Sequence, residues 1–126
     1  MPQFVMVMDV HAMDHVPDTD MPDVASAAHA VTQEAMDAGV RVCGSGLEEQ
    51  TARIIAADGT VSDGRPVPVG GLTVFEVPSR EEALAWAAKW AAACRCDQEL
   101  WELGSDPQHD AMLRESALRR SRPGDA

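Results

Sequence analysis

The spacing of apolar positions predicts four short strands along the chain. Residues 4–10, FVMVMDV, form an apolar run whose length and β-branched content predict a strand buried on both faces. Residues 72–77, LTVFEV, predict a second strand of this kind. Residues 40–47 alternate between apolar and polar positions, and residues 98–103, QELWEL, predict the last strand.

Two further segments have helical periodicity. From Asp20 or Pro22, small apolar residues recur at helical spacing up to Gly39, which is expected to end the helix. Ser79 and Glu82 have the spacing of a capping box, in which each side chain accepts a hydrogen bond from the other residue's amide. This box predicts a helix over residues 81–93. Residues 105–126 form a polar tail, expected to make one or two amphipathic turns and then to be disordered.

Between the strands, residues 51–64, TARIIAADGTVSDG, predict a β-hairpin in which Asp58 and Gly59 supply the positive φ angles of a tight turn. Without this inserted hairpin, residues 1–104 follow the order strand, helix, strand, strand, helix, strand. That order is the ferredoxin-like split βαβ pattern, so the predicted fold class is an α+β sandwich. Two helices cover one face of such a sheet, and a second copy of the chain is the simplest cover for the other face.

The composition and charge of the chain limit the classes of molecule that it is expected to bind. The 126 residues are 45% hydrophobic, which suits one globular domain. There are 21 acidic and 10 basic residues, for a net charge of −11. Four of the bases lie in the last thirteen residues, so no basic groove is expected and nucleic acid is excluded as a partner. No apolar run is long enough to cross a bilayer and the opening residues lack signal-peptide features, so we expect a cytoplasmic protein without a membrane partner.

Several short motifs resemble those of the YciI-related family in their order and intervals. They are Gly44-Ser45-Gly46-Leu47, Asp63-Gly64, Gly70-Gly71-Leu72, and Glu82-Ala83-Leu84 followed by Trp86. The chain is similar to the branch named for a DGPF motif, although DGRPVPV stands where that branch has Pro-Phe. The resemblance covers residues 24–103. It implies a ferredoxin-like fold that pairs into a dimeric α+β barrel. It also implies relatives that are small-molecule lyases or isomerases with a His and Asp pair, or DGPF proteins linked to sigma factors.

Three residues within the resemblance are candidates for chemistry. His29 stands ten residues before Gly39, close to the interval of the helix-one histidine in YciI-type relatives. Histidine titrates near neutral pH and can transfer protons, although His29 also fits a surface position at the edge of the apolar stripe. Asp63 could orient a histidine or take a proton, or close its own loop through an Asx-turn. Arg65 could hold an acidic group of a ligand, or be solvated.

The stretch MDVHAMDHVPDTDMPD, residues 8–23, is rich in histidine and aspartate. His11 and His15 are four residues apart, as ligands on one helix face would be, yet Pro17 and the aspartates indicate that the segment is not a regular helix. No third nitrogen or sulfur ligand follows at a set spacing, so we expect no metal there and no cofactor. The default interpretation is a solvated loop, with His15 or His11 lining a site as the alternative.

The remaining residues of note predict packing. Trp86 and Trp90, four residues apart in an alanine-rich helix, indicate core or dimer packing. Cys43, Cys94 and Cys96 are odd in number and lack redox or zinc spacing, so free thiols are expected.

Two functional hypotheses follow. The first is a cytoplasmic homodimer that binds a small organic molecule in a cleft between the sheet and the first helix. If it is catalytic, it performs a cofactor-free elimination or isomerisation, with His29 or His15 as proton shuttle and Asp63 as its partner. The second is a non-catalytic binding or regulatory module, which the altered DGRP loop favours.

Overall fold

The computed structural model describes residues 1–121, which contain a four-stranded antiparallel sheet, a two-stranded antiparallel sheet and three helices. In chain order the elements are β1 (Gln3–Asp9), α1 (Met21–Asp37), β2 (Val42–Gly46), β3 (Thr51–Ile55), β4 (Val61–Pro66), β5 (Val69–Glu76), α2 (Arg80–Cys94), β6 (Glu99–Glu102) and α3 (Pro107–Arg120). The main sheet has the order β2-β5-β1-β6, whereas β3 and β4 pair with each other. Each of α1 and α2 thus joins two strands that flank a third, an arrangement compatible with the predicted ferredoxin-like α+β fold.

Local signals in the sequence set the ends of α1 and α2. Gly39 follows α1 with φ at +82°, and the Val40 amide donates to the Ala35 carbonyl oxygen over 2.9 Å, which closes the helix. The Ser79 hydroxyl accepts from the Glu82 amide over 3.2 Å at the start of α2. Within residues 1–121 no reciprocal bond joins the Ser79 amide to the Glu82 carboxylate, so only half of the predicted capping box forms.

The core lies between α1, α2 and one face of the main sheet. Phe4 of β1 and Phe75 of β5 are 1% and 0% exposed, and their rings lie 6.1 Å apart, centroid to centroid. Phe75 also packs against Trp90 of α2 at 5.3 Å, and Ala35 of α1 completes the contact with no exposed surface. The predicted packing role of Trp90 is confirmed as a core position.

The opposite face of the main sheet is only partly covered within one chain. Side chains of β1 point alternately to the two faces of the sheet, so Val5 and Val7 lie on the face opposite to that of the buried Phe4. Register places Val74 of β5 on one side of Val5 and Trp101 of β6 on the other. Trp101 is 60% exposed. We call this surface the open face; it consists of Val5, Val7, Leu72, Val74 and Trp101. The predicted burial of β1 and β5 on both faces is therefore incomplete in a single chain.

The predicted turn of the hairpin needs one correction. Gly59 has φ at +90°, but Arg95 is the only non-glycine residue with positive φ in the part of the chain that the structure describes, so Asp58 does not share that conformation. Asp58 instead accepts a hydrogen bond from the Thr60 amide over 2.9 Å, and this bond lowers the pKa of its carboxyl group.

The C-terminal tail is more helical than expected. α3 spans 14 residues, capped by the Asp106 side chain, which accepts from the His109 amide over 3.0 Å. It has no buried residue. The disorder predicted for the end of the tail concerns residues 122–126, which lie outside the described residues. Across residues 1–121, no helix combines the length and the apolar character needed to cross a membrane.

Candidate functional site

A cleft of about 360 Å³ opens between α1 and the β2 side of the main sheet. Its floor consists of two cross-strand rows. In one row Gly46 of β2 lies beside Gly71 of β5, which lies beside Met8 of β1. In the next row Gly44 lies beside Thr73. Because three of these five floor residues are glycines, few side chains fill the space beneath α1, and the cleft remains open.

Gly44 is required by the backbone itself. Its φ is +144°, and a Cβ atom built on it would lie 2.2 Å from the Leu72 carbonyl oxygen of the neighbouring strand. That separation is far below a van der Waals contact. Neither atom can move away easily, because the Cβ position is set by the Gly44 backbone and the oxygen belongs to the main chain of β5. Glycine therefore allows β2 to pair closely with β5 at the edge of the cleft.

The walls of the cleft come from both helices. His29, Thr32 and Met36 extend from α1, while Trp90 and Cys94 extend from α2. The Thr32 hydroxyl donates to the Ala28 carbonyl oxygen over 3.1 Å and accepts from the Trp90 indole nitrogen over 3.2 Å, so it is occupied in holding the two helices together. His29 is exposed and stands at the mouth of the cleft.

The lining carries no fixed charge. None of the described residues around the cleft is aspartate, glutamate, lysine or arginine, and three of them, Met6, Met8 and Met36, are methionines. A charged ligand would lose its hydration there without gaining a partner of opposite charge. Methionine thioethers are polarizable and make favourable contacts with aromatic rings. The cleft is therefore suited to an uncharged, mainly apolar molecule.

Of the residues predicted for chemistry, His29 alone lines this cleft. Asp63 lies on β4, where its carboxylate forms an ion pair with Arg53 Nε over 3.2 Å and remains 79% exposed. Arg65 lies on the same strand, exposed, and lines neither of the clefts described. The structure thus does not bring His29 and Asp63 together as the sequence suggested.

The two loop histidines lie elsewhere. His15 Nε2 is 2.7 Å from the Arg95 carbonyl oxygen, so this nitrogen carries the proton and donates it. His15 lines a second cleft, which also includes Asp9 and Cys96. His11 Nδ1 is 3.0 Å from Asp14 Oδ2, with both side chains at least 70% exposed. The loop between β1 and α1 consists of consecutive turns at residues 10–15 and a short 3₁₀ helix at Asp18–Asp20, which confirms that it is not a regular α-helix.

The cysteines are free, as predicted. Burial raises the pKa of the Cys94 thiol, and burial together with the nearby Cys94 and Asp97 raises that of Cys96. Within residues 1–121, no group of three or more histidine, cysteine, aspartate and glutamate side chains is arranged to hold a metal ion.

The sequence contained an overlooked signal for the cleft. Gly44 and Gly46 are two residues apart in one strand, so both leave the same face of the sheet without side chains. A glycine pair with this spacing, opposite the further glycines at 70 and 71, indicates a gap under the helix that crosses it. The roles of Thr32 and Gln98 in the lining had no such signal, because they depend on which elements pack together.

No protein-family model matches the sequence, and the chain has no match among curated proteins. The likeness to the YciI-related family therefore rests on the short motifs described above.

Replacing Gly44 by alanine tests the glycine floor. We expect Gly44→Ala to lower the free energy of unfolding by about 1–3 kcal/mol, the usual cost of a strained backbone position. The physical reason is that the methyl group of the new alanine meets a main-chain oxygen. Gly104→Ala is the matched control, since an added Cβ there meets nothing within 4 Å. Urea denaturation followed by circular dichroism measures both. Equal stability of the two variants would contradict the close approach of β2 to β5.

Proposed function

We propose that this chain is a YciI-related protein that binds a small, uncharged organic molecule in the cleft between α1 and the main sheet. The observation that carries the proposal is the cleft of about 360 Å³ with His29 at its mouth and no charged side chain in its lining. Its volume lies at the lower end of the range for small-molecule sites, about 300–1,000 Å³. The sulfur-rich walls favour a flat or aromatic ligand.

If the protein is catalytic, we assign proton transfer to His29. An imidazole at the mouth of the cleft can remove a proton from a carbon atom next to a carbonyl group and return it to a neighbouring position. This is a cofactor-free isomerisation. We do not assign Asp63 to this step, since its carboxylate is paired with Arg53. We do not assign His15 either, since its Nε2 hydrogen bonds to Arg95 beside the other cleft.

The second candidate is a non-catalytic binding or regulatory module, of the kind the DGPF resemblance suggests. One observation favours it: no described residue lining the cleft is a carboxylate that could orient His29. A histidine without such a partner serves equally well as a hydrogen-bonding group that recognises a ligand. Both candidates require the same bound molecule and differ in whether a proton moves.

The proposal includes a homodimer built on the open face. Val5, Val74 and Trp101 form a continuous apolar row across three strands, and Trp101 is 60% exposed in the single chain. The row ends at the sheet edge in Cys43, opposite Val74. An ordinary interface buries about 800 Å² per partner, and burial of apolar surface contributes about 25 cal/mol per Å². A second copy presents the same flat apolar surface and is its natural complement.

The charge of the ligand is the first test. We expect an uncharged amide to raise the melting temperature, while the carboxylate and the amine of the same carbon skeleton do not, across a set of small aromatic compounds. The amine is included because a chain of net charge −11 repels anions but attracts cations. If the amine also fails to bind, the cause is the loss of its hydration in the cleft and not repulsion by the chain. His29→Gln should weaken binding about fivefold, corresponding to one hydrogen bond of about 1 kcal/mol. His109→Gln, on the exposed α3, is the matched control. Equal shifts from charged and uncharged compounds would contradict the proposal.

Deuterium exchange separates the two candidates. A molecule that binds in the cleft is incubated with the protein in deuterated water, and exchange at the carbon next to its carbonyl group is followed by nuclear magnetic resonance. If His29 transfers protons, exchange should be faster with the wild-type protein and fall to the uncatalysed rate with His29→Gln. Binding without exchange supports the regulatory module instead.

The assembly is tested by light scattering at micromolar concentration. We expect twice the monomer mass of 13.5 kDa for the wild-type chain and the monomer mass for Trp101→Glu, because a charge on the open face would be buried unpaired in the dimer. Leu84→Glu is the matched control, since Leu84 is 55% exposed on α2 and lies outside the open face. A monomeric wild-type chain, or equal dissociation of both variants, would rule out this interface.

A further inference from the structure

Three residues that carry sulfur lie around the end of α2, in a group we call the sulfur cluster: Met8, Cys94 and Cys96. Cys96 Sγ lies 3.8 Å from Met8 Sδ. Cys94 and Met8 line the same cleft, and Cys94 is the last residue of α2, separated from Cys96 in the chain by Arg95 alone. The cluster joins residues 88 positions apart in sequence, at the end of β1 and the end of α2.

The turn after α2 holds the cluster in place. Arg95 adopts the left-handed conformation, with φ at 56°, and reverses the chain directly after Cys94. Its guanidinium donates to Asp20 Oδ2 over 2.9 Å, and its carbonyl oxygen accepts from His15. The Cys96 amide donates to the Ala91 carbonyl oxygen over 3.2 Å. These bonds fix the backbone around Cys96, whose partly buried sulfur contacts Met8.

A side-chain amide approaches the same sulfur atoms. Gln98 Nε2 lies 3.5 Å from Cys96 Sγ and 3.9 Å from Met8 Sδ. An N–H group directed at sulfur stabilises negative charge on a thiolate, as the outer groups around metal-bound cysteines do. The sulfur cluster thus combines thiol and thioether sulfurs, which are soft metal ligands, with the Gln98 amide, which can hydrogen bond to them.

We propose that the sulfur cluster is a binding site for a soft monovalent metal ion, Cu(I), with Met8, Cys94 and Cys96 as its ligands. Thioether and thiolate sulfur select Cu(I) over harder ions. Three sulfurs at about 2.3 Å from one ion are separated from each other by about 4 Å, close to the 3.8 Å between Met8 and Cys96. A structural zinc site would need four nitrogen, thiolate or carboxylate ligands, and the described residues offer no such group.

Binding releases two protons, one from each thiol, and no oxidant or reductant is consumed. The two resulting thiolates and the thioether leave the bound ion with a net charge of −1. This inference does not rest on the proposed small-molecule function. Met8 and Cys94 also line the small-molecule cleft but Cys96 does not, so Cys96→Ser alters the metal site alone.

The test is an anaerobic titration with Cu(I) against a chromophoric Cu(I) chelator. We expect one equivalent per chain, and an affinity at least about tenfold weaker for Cys96→Ser and for Met8→Leu, which keeps the side-chain volume. Cys43→Ser is the matched control, because Cys43 is exposed and pairs with Val74 of the open face, on the side of the sheet opposite to Met8. Circular dichroism of each variant without metal establishes that it folds, and native mass spectrometry with Ag(I), a redox-inert analogue, repeats the comparison independently.

Three results would overturn the site. They are the absence of Cu(I) and Ag(I) uptake by the wild-type chain, an equal loss of affinity in Cys43→Ser and Cys96→Ser, and displacement of the bound ion by excess zinc. His29→Gln provides the reverse control, since it should weaken small-molecule binding while Cu(I) affinity is unchanged.

Discussion

The contact that the rest of the structure depends on is made by the indole of Trp90. Its ring packs against Phe75 of the sheet at 5.3 Å, and its nitrogen donates to the Thr32 hydroxyl of α1 over 3.2 Å. One side chain of α2 thereby fixes the sheet, its own helix and the neighbouring helix relative to one another. The ion pair between Lys89 and Glu34 lies on the outside of the same helix pair, where solvent weakens it. The apolar contact is the one that determines the arrangement.

That arrangement explains why the cleft is where it is. Trp90 and the phenylalanines fill the space beneath the helices at one end of the sheet. Toward β2 the strand rows carry glycine instead of large side chains, so the helix α1 passes over an unfilled region. The cleft is the part of the helix–sheet interface that core residues such as Met6 and Trp90 border but do not fill. His29 borders it because it lies one turn before Thr32, the residue that anchors α1 to Trp90.

The two faces of the sheet have different physical consequences. One face is dry, with Phe4 and Phe75 almost completely buried. The other carries valines, a leucine and a largely exposed tryptophan, which are costly to leave in water. The acidic surface of the chain acts in the opposite direction, because its net charge of −11 opposes non-specific association. Apolar side chains are also exposed elsewhere, among them Ile55 of β3, Leu84 of α2 and Leu118 of α3, so the open face is distinguished by the adjacency of its apolar residues across three strands.

The sequence by itself determined the elements, since these depend on contacts within a few residues. Hydrophobic spacing predicted the bounds of β1 and β6 to within one residue and those of β5 to within three, Gly39 predicted the end of α1, and Ser79 predicted the start of α2. It also predicted an irregular segment between β1 and α1. The half-formed capping box, the conformation of Asp58 and the length of α3 were missed, because each depends on small energy differences between local alternatives.

Only the tertiary structure decided which side chains meet. Sheet register brought Met8 beside Cys96, 88 positions away, and directed Asp63 to Arg53 instead of a histidine. Of five residues chosen for their chemistry, His29 alone came to line the cleft between α1 and the sheet. Periodicity specifies the face of an element on which a residue lies. It does not specify the partner across from it, because that partner is set by strand order and by the packing of one helix on another.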